Sequence, residues 1–162
     1  VKKRNKVSGF TRNYKDVEVR ELDINNTIDR ADLLELNNWW VESRVKSDAE
    51  FDIKGEPLAL GRFLEANFEN ILYVGLYHNQ AMIGYSIFST HSDGYAISHF
   101  TKANNLYKGA YEYMLQGCAN ILVKRNLQFL NYQEDMGLEG LRVAKNSYRP
   151  AKFMRKYSIT KN

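Results

Sequence analysis

The sequence predicts an α/β (α+β) domain in which a mixed, mostly antiparallel sheet is flanked by helices. Three apolar segments, at 71–77, 81–89 and 95–102, are separated by short polar turns, a pattern typical of an antiparallel meander. A long segment with helical apolar spacing follows at 108–125, and a short strand-like segment at 128–132. Because a helix between two strands of one sheet forms a right-handed crossover, we expect 95–102 and 128–132 to be the only parallel pair.

One strand and two helices are predicted before the meander. Residues 16–22 alternate valines with charged side chains, which indicates a half-buried strand. Asn26 is a suitable N-cap for a helix that continues to about Ser43. Pro57 predicts the start of a second helix, since proline is favoured in a first turn. Residues 46–55, between these helices, are polar and predict a loop.

Two elements are predicted after the crossover strand, a short helix at 138–146 and a last strand at 151–160. The full order is β-α-α-β-β-β-α-β-α-β, with about six strands in the sheet. This order resembles that of the GNAT-like acyl-CoA N-acyltransferase fold. In that fold the fourth and fifth strands splay apart, and acyl donor and acceptor meet in the resulting notch. The usual seventh strand is missing, and we expect another domain or a partner to supply it.

Composition excludes several classes of protein. Hydrophobic residues make up 44% and charged residues 26% of the chain, which is globular rather than disordered. No apolar run approaches the roughly 18 residues that a membrane-spanning helix needs. The single cysteine, Cys118, excludes an internal disulfide framework, and three histidines with one cysteine make a structural zinc site unexpected. No secretory signal is visible, so we expect a cytoplasmic protein without a transmembrane segment.

The basic charge is concentrated at the N-terminus. The net charge is +4, and six cations lie in the first fifteen residues: Lys2, Lys3, Arg4, Lys6, Arg12 and Lys15. We predict that residues 1–14 form a basic arm or inter-domain linker that stays outside the core, and that 15–162 form one domain. A basic balance suits anionic partners such as CoA, tRNA or lipid headgroups, although a solvated arm is the alternative. Because Val1 is not an initiator methionine, we expect a chain that is processed, truncated or part of a larger protein.

The stretch from Asn131 to Pro150, NYQEDMGLEGLRVAKNSYRP, is the most specific motif. It resembles a bacterial family related to the C-terminal domain of phosphatidylglycerol lysyltransferase, whose pattern reads Asn-x-x-Glu-Asp-x-Gly-x-Glu-Gly-Leu-Arg-x-Ala-Lys-x-Ser-Tyr-x-Pro. Weaker agreement comes from HFTKA at 99–103, YKGAY at 107–111, and two segments of the arm, KRN at 3–5 and RNY at 12–14.

The resemblance implies an aminoacyl transferase made of two GNAT-like halves in tandem, of which this sequence is similar to the second. Relatives with known chemistry move an aminoacyl group from aminoacyl-tRNA to a lipid headgroup or a peptidoglycan precursor. The implied partner is a preceding GNAT-like half of the same chain or a second copy. The expected donor substrate is aminoacyl-tRNA or acyl-CoA, and no cofactor or metal is expected.

The turn before the long helix is the candidate donor-binding site. It comprises Asn105, Tyr107, Lys108, Gly109 and Ala110. Free N–H groups at a helix N-terminus favour phosphate, and a glycine lets the backbone approach a ligand closely. Ordinary turn chemistry is the alternative, because only one glycine and an adjacent alanine of the usual CoA-binding pattern remain. Lys102, at the end of the preceding strand, is a further donor-binding candidate.

The 131–150 motif supplies candidate acid–base and anion-binding residues. Glu134 and Asp135 follow the crossover strand at the mouth of the predicted notch, where one carboxylate could take the acceptor's proton. Arg142 and Lys145 could bind a phosphate or carboxylate. Internal salt bridges and capping of the next helix are the alternative for all four. Tyr148, four residues after an alanine as in many GNAT enzymes, is a candidate general acid.

His99, on the third meander strand, is the remaining catalytic candidate, with a structural role as the alternative. Cys118 lies on the apolar stripe of the long helix, where a buried packing role is expected. Trp39 and Trp40 predict one core and one rim residue, with an acceptor-binding aromatic wall as a lesser alternative. Three functions therefore stay open: an aminoacyl transferase, an acetyl-CoA-dependent N-acetyltransferase, and a non-catalytic half that binds substrate or scaffolds a tandem enzyme.

Overall fold

A computed structural model describes residues 2–47, 53, 55–155 and 157–161. The chain divides into two units, Val1–Asn131 and Tyr132–Asn162. Nine elements of the first unit follow in chain order: α1 (Lys2–Asn13), β1 (Val17–Glu21), α2 (Thr27–Ser47), α3 (Glu56–Glu65), β2 (Ile71–His78), β3 (Ala81–Thr90), β4 (Tyr95–Ala103), α4 (Ala110–Lys124) and β5 (Phe129–Asn131).

The sheet of the first unit has five strands in the order β1-β2-β3-β4-β5. The first three pairings are antiparallel and the last, between β4 and β5, is parallel, with Tyr95 opposite Phe129 and Ile97 opposite Asn131. The predicted meander and its parallel partner are therefore confirmed. The helix α4 makes the crossover between β4 and β5, as the spacing of its apolar residues predicts.

Helices cover both faces of the sheet, and each face has its own core. Alternate residues of a strand point to opposite faces, so neighbouring positions of β2 enter different cores. Val74 packs with buried residues of α1 and α4, including Phe10 and Met114. Tyr73 packs with buried residues of α2 and α3, including Leu33. The buried β2 pattern is therefore continuous, because both faces of the strand are covered.

The expectation that residues 1–14 stay outside the core is wrong. Residues Lys2–Asn13 form α1, whose Phe10 is fully buried. The Phe10 ring lies 4.7 Å from that of Tyr113 on α4. The ammonium groups of Lys3 and Lys6 lie 3.0 and 2.9 Å from the same carboxylate oxygen of Glu112, also on α4. Two arm lysines thus neutralise a carboxylate that the helix packing buries.

The second unit contains one helix, α5 (Glu139–Asn146), which confirms the predicted short helix. The predicted last strand at 151–160 is wrong for the residues described there, 151–155 and 157–160, none of which is in a strand. Phe153, Tyr157 and Ile159 are exposed. A strand is stabilised when its side chains pack against neighbouring residues, and exposed side chains supply little of that packing. The polar loop predicted at 46–55 falls mostly on residues 48–52 and 54, which lie outside the described residues.

Candidate active site

The strand β4 extends beyond the end of its parallel partner β5. Strand β5 pairs with β4 only at residues 95–97, whereas β4 continues to Ala103. Among the strands that the structure describes, none pairs with this side of residues 98–103. The turn 104–109 follows, and α4 then begins at Ala110. The open half of β4 and the first turn of α4 therefore form one side of the predicted notch.

The candidate donor turn is largely bonded to itself. The Leu106 N–H donates to the Asn104 side-chain oxygen at 3.0 Å, and the Tyr107 N–H to the Asn104 carbonyl at 3.1 Å. The Ala110 N–H donates to the Tyr107 carbonyl at 3.0 Å. Asn105 and Lys108 are exposed. Three N–H groups that could have met a phosphate are thus used within the turn.

Gly109 contacts the arm helix rather than open space. Its φ of 95° lies in the left-handed region, and a Cβ there would come within 2.8 Å of the Lys6 carbonyl oxygen. Tyr107 packs nearby, with its ring 5.1 Å from that of Tyr14. The close approach that this glycine permits is therefore made by the backbone of α1.

Lys102 lies in the open half of β4 and is the most deeply placed of the candidate cations. Its residue exposure is 8%, and it stands opposite Tyr85 in the register of β3 and β4. Its ammonium lies 2.9 Å from Glu56 Oε2 and 3.7 Å from the centre of the Trp40 ring. Burial lowers the pKa of Lys102, and the carboxylate of Glu56 opposes that shift.

Sequence reasoning missed most of the residues around Lys102. The Trp40 indole N–H donates to the Tyr111 hydroxyl at 3.1 Å, which ties α2 to the first turn of α4. The buried Tyr85 hydroxyl donates to Asn37 Oδ1 at 2.7 Å. Burial, and after it the charge of Glu56, raises the pKa of the Tyr85 phenol. We call Trp40, Glu56, Tyr85, Lys102 and Tyr111 the β4 cluster.

Two sequence signals pointed towards this cluster. The Trp39–Trp40 pair predicted one core and one rim residue, and Trp39 does pack on the core under α2 and α3 while Trp40 is half-buried outside it. Glu56 immediately precedes the proline that opens α3, where an acidic residue is favoured by the helix dipole. Neither signal identifies Lys102 as the common partner, because the three residues lie on separate elements.

The contacts of His99 and Cys118 are those of residues with a structural role. His99 Nε2 lies 2.9 Å from the Ser89 hydroxyl, and its ring lies 5.3 Å from that of Phe63. Partial burial, and after it the charge of His91, lowers the pKa of His99. Burial raises the pKa of the Cys118 thiol to about 12, so this thiol is not a thiolate nucleophile at neutral pH.

In the second unit, three of the charged candidates bind one another or the backbone. Arg142 Nε donates to Asp135 Oδ2 at 2.7 Å, and this contact lowers the pKa of Asp135. Asp135 Oδ1 also accepts a hydrogen bond of 2.9 Å from the Gly137 N–H, in the turn before α5. The Lys145 ammonium donates to the carbonyls of Tyr132 and Glu134, at 2.5 and 2.7 Å. These contacts match the structural alternative for Asp135, Arg142 and Lys145.

Glu134 and Tyr148 present exposed side chains. The Tyr148 ring meets that of Tyr132 edge to face, with 6.3 Å between centres. A small cleft of about 250 Å³ lies in this unit, lined by Gln133, Asp135, Arg142, Lys145, Asn146 and Phe153. Both units therefore contain predicted site residues, with Lys102 and the donor turn in the first and the acid-rich motif in the second.

Comparison with known protein families shows to which family the chain belongs. Residues 1–160 match the family described as phosphatidylglycerol lysyltransferase, C-terminal. The chain belongs to this family. The resemblance inferred from the 131–150 motif is confirmed, and the match includes both units. A search of curated protein sequences finds no match.

Solved structures show that this family member has the fold of GNAT N-acetyltransferases. A conserved protein of unknown function from Bacteroides thetaiotaomicron is 27% identical, with a TM-score of 0.80, over 93% of this chain and 50% of that one. The chain therefore spans half of that relative. A ribosomal-protein-alanine N-acetyltransferase from Brucella melitensis is 13% identical, with a TM-score of 0.63, over 90% of this chain and 99% of that one.

A third structure, of PaiA N-acetyltransferase from Thermoplasma acidophilum in complex with coenzyme A, is 18% identical. Its TM-score is 0.56, over 82% of this chain and 89% of that one. These two N-acetyltransferases support the fold, and the predicted fold class is confirmed. Within the described part of the chain, every helix is too short or too polar to span a bilayer.

Proposed function

We propose that this chain is an acyltransferase domain that moves an aminoacyl group from aminoacyl-tRNA to an amine or hydroxyl acceptor. The proposal is supported mainly by the part of β4 that β5 leaves unpaired, residues 98–103, which contains the buried cation Lys102. Acyl transfer needs a cation or N–H groups for the developing oxyanion and a base for the acceptor's proton. The β4 cluster brings the Lys102 ammonium, the Glu56 carboxylate and the Trp40 indole, which donates to the Tyr111 phenol, together from four elements.

The donor turn favours aminoacyl-tRNA over acyl-CoA. A CoA pyrophosphate needs free N–H groups at the start of the long helix, but the Ala110 N–H is bonded to the Tyr107 carbonyl and the backbone of α1 packs on Gly109. A tRNA can be held by its many phosphates elsewhere on a basic surface. The exposed cations Arg4, Arg12 and Lys15 on or beside α1 supply such a surface.

We also propose that the 131–150 motif takes part in the reaction. The motif carries the family resemblance, and Glu134 presents an exposed carboxylate directly after the segment that leads from β5. Glu134, Asp135, His99 and Tyr148 remain the proposed catalytic contributors from sequence. The proposed partner is a preceding GNAT-like half, since the chain spans half of its Bacteroides relative.

A comparison of donors tests the proposal. The chain is incubated separately with radiolabelled lysyl-tRNA, alanyl-tRNA and acetyl-CoA. Phosphatidylglycerol vesicles serve as a hydroxyl acceptor and ethanolamine as an amine acceptor. We expect label to pass from an aminoacyl-tRNA to an acceptor. Transfer from acetyl-CoA alone would identify an N-acetyltransferase. Tight tRNA binding without transfer from any donor would identify a non-catalytic half.

A further inference from the structure

We infer that Glu56 and Lys102 are the acid–base and oxyanion-stabilising pair of the transfer reaction. Neither residue belongs to the 131–150 motif that carries the family resemblance. The inference rests on the proposed function and deepens it, since it assigns chemical roles to two side chains at the open half of β4. Three elements bring the pair together: the first turn of α3, the C-terminal part of α2, and the end of β4.

Glu56 and Lys102 form a buried ion pair. The Oε2 atom of Glu56 is buried, and Lys102 Nζ lies 2.9 Å from it. The ammonium thus offsets the loss of hydration of this oxygen. The pair therefore places a carboxylate and an ammonium together beside the open half of β4.

The two side chains of the pair differ in exposure. The Glu56 side chain is 32% exposed, whereas the Lys102 side chain is only 10% exposed. The Glu56 side chain is thus partly open to solvent, while the ammonium lies in a less polar environment. Electrostatic stabilisation of a developing negative charge is strongest where water is excluded, as it is around Lys102.

Trp40 acts as a positioning residue for this ammonium. Its ring face lies 3.7 Å from Lys102 Nζ, and its indole N–H is fixed by the Tyr111 hydroxyl. A cation over an indole face is attracted by the ring quadrupole. The charged form of Lys102 is thereby held at one place instead of sampling the many rotamers of an exposed lysine.

The step balances without a cofactor. The acceptor N–H or O–H gives its proton to the Glu56 carboxylate as its nitrogen or oxygen attacks the ester carbonyl carbon of the aminoacyl-tRNA. The Lys102 ammonium stabilises the oxyanion of the tetrahedral intermediate. The bond between that carbon and the ribose oxygen then breaks, and protonated Glu56 returns the proton to the ribose oxygen. The products are an amide or ester of the acceptor and a free ribose hydroxyl, and Glu56 is again a carboxylate.

Substitution of Glu56 tests the assignment with a matched control on the same helix. With lysyl-tRNA and alanyl-tRNA as donors and ethanolamine as acceptor, Glu56→Gln should lower turnover by about a hundredfold, because the amide keeps the shape but takes no proton. Glu65→Gln, at the exposed end of α3, should leave turnover unchanged.

Substitution of Lys102 separates charge from packing. Lys102→Met keeps an unbranched apolar side chain and should also lower turnover by about a hundredfold. Lys102→Arg should restore part of the loss and move the alkaline decline of turnover to higher pH. Melting temperatures are measured for every variant. An active wild type with unchanged turnover in Glu56→Gln would overturn this assignment and leave the proposed function standing. A wild type without transfer from either tRNA would overturn both.

Discussion

Buried charged side chains of the first unit form ion pairs with side chains of opposite charge. Each of these ion pairs joins two secondary-structure elements. Lys102 joins β4 to α3 through Glu56. Asp29 at the start of α2 lies 2.7 Å from the guanidinium of Arg20 on β1, and it also accepts a hydrogen bond from the Asp23 N–H at 2.9 Å. Removing one member of a buried pair leaves the other without compensation, so these residues are sensitive positions.

Asp29 should make stability depend on pH. The Arg20 contact lowers the pKa of Asp29 in the folded protein below its ordinary value. The contribution is therefore complete above about pH 4 and is lost as the pH falls through the lower folded pKa. Asp29→Asn should lower the free energy of unfolding at pH 7 by roughly 2 kcal/mol. Urea titrations from pH 7 to pH 2 should show the difference from wild type shrinking below pH 4, and a constant difference would contradict the assignment.

Glu134 and Asp135 are adjacent in sequence and should respond differently to loss of charge. Since Glu56 takes the acceptor's proton, Glu134 would instead orient the acceptor, and Glu134→Gln should lower turnover by less than the hundredfold expected for Glu56→Gln, with little change in melting temperature. Asp135→Asn removes the partner of Arg142 and serves as the structural comparison. Steady-state rates and thermal unfolding of both variants check this. Unchanged turnover in Glu134→Gln, or an equal loss of folding, would make the motif a structural cap.

At the scale of elements, local patterns predicted most helices and strands, and packing decided their limits. The predicted helix 108–125 is α4 at Ala110–Lys124, and the predicted strand 128–132 is β5 at Phe129–Asn131. Residues 1–14 were predicted to lie outside the core because charged side chains dominate their composition. Phe10 and Tyr14 are four residues apart, and Phe10 enters the core while the cations lie around it. The two aromatic side chains were the available signal, and charge density obscured it.

The helix α1 should therefore be part of the stable fold. Phe10→Ala should lower the free energy of unfolding by about 3–5 kcal/mol, because a fully buried phenylalanine leaves a cavity against α4. Asn5→Ala, at an exposed position of the same helix, should change it by less than about 0.5 kcal/mol. Chemical denaturation measures both. Equal, small effects would mean that α1 does not stabilise the domain in solution.

At the scale of the whole molecule, the excess of positive charge and the proposed polyanionic donor belong together. A net charge of +4 makes association with tRNA favourable at low salt. The exposed Arg4 and Arg12 of α1 present part of that charge to solvent. A substrate held mainly through its phosphates should then be released by salt, whatever its sequence.

Salt dependence should identify the contribution of α1 to tRNA binding. The double variant Arg4→Glu, Arg12→Glu should weaken binding of uncharged tRNA. The slope of log affinity against log salt concentration should also become less negative, by about 0.7–0.9 for each phosphate that the variant no longer binds. Arg62→Glu, on the exposed part of α3, serves as a control for reversed charge and should have a smaller effect. Filter binding over a range of salt concentrations measures the slopes. Equal slopes for all three proteins would exclude α1 as a tRNA-binding element.

The sequence by itself determined the order of the elements from β1 to α5, the fold class and the family, because hydrophobic periodicity and a contiguous motif are local properties of a chain. It also predicted the parallel pairing of β4 with β5, which follows from the handedness of the crossover. Only the tertiary structure decided that α1 covers Gly109, that the segment 151–160 forms no strand among its described residues, and that Lys102 meets Glu56 and Trp40. These contacts join residues that are far apart in the sequence. Their side chains become neighbours only when three elements pack together, and no local sequence pattern encodes that packing.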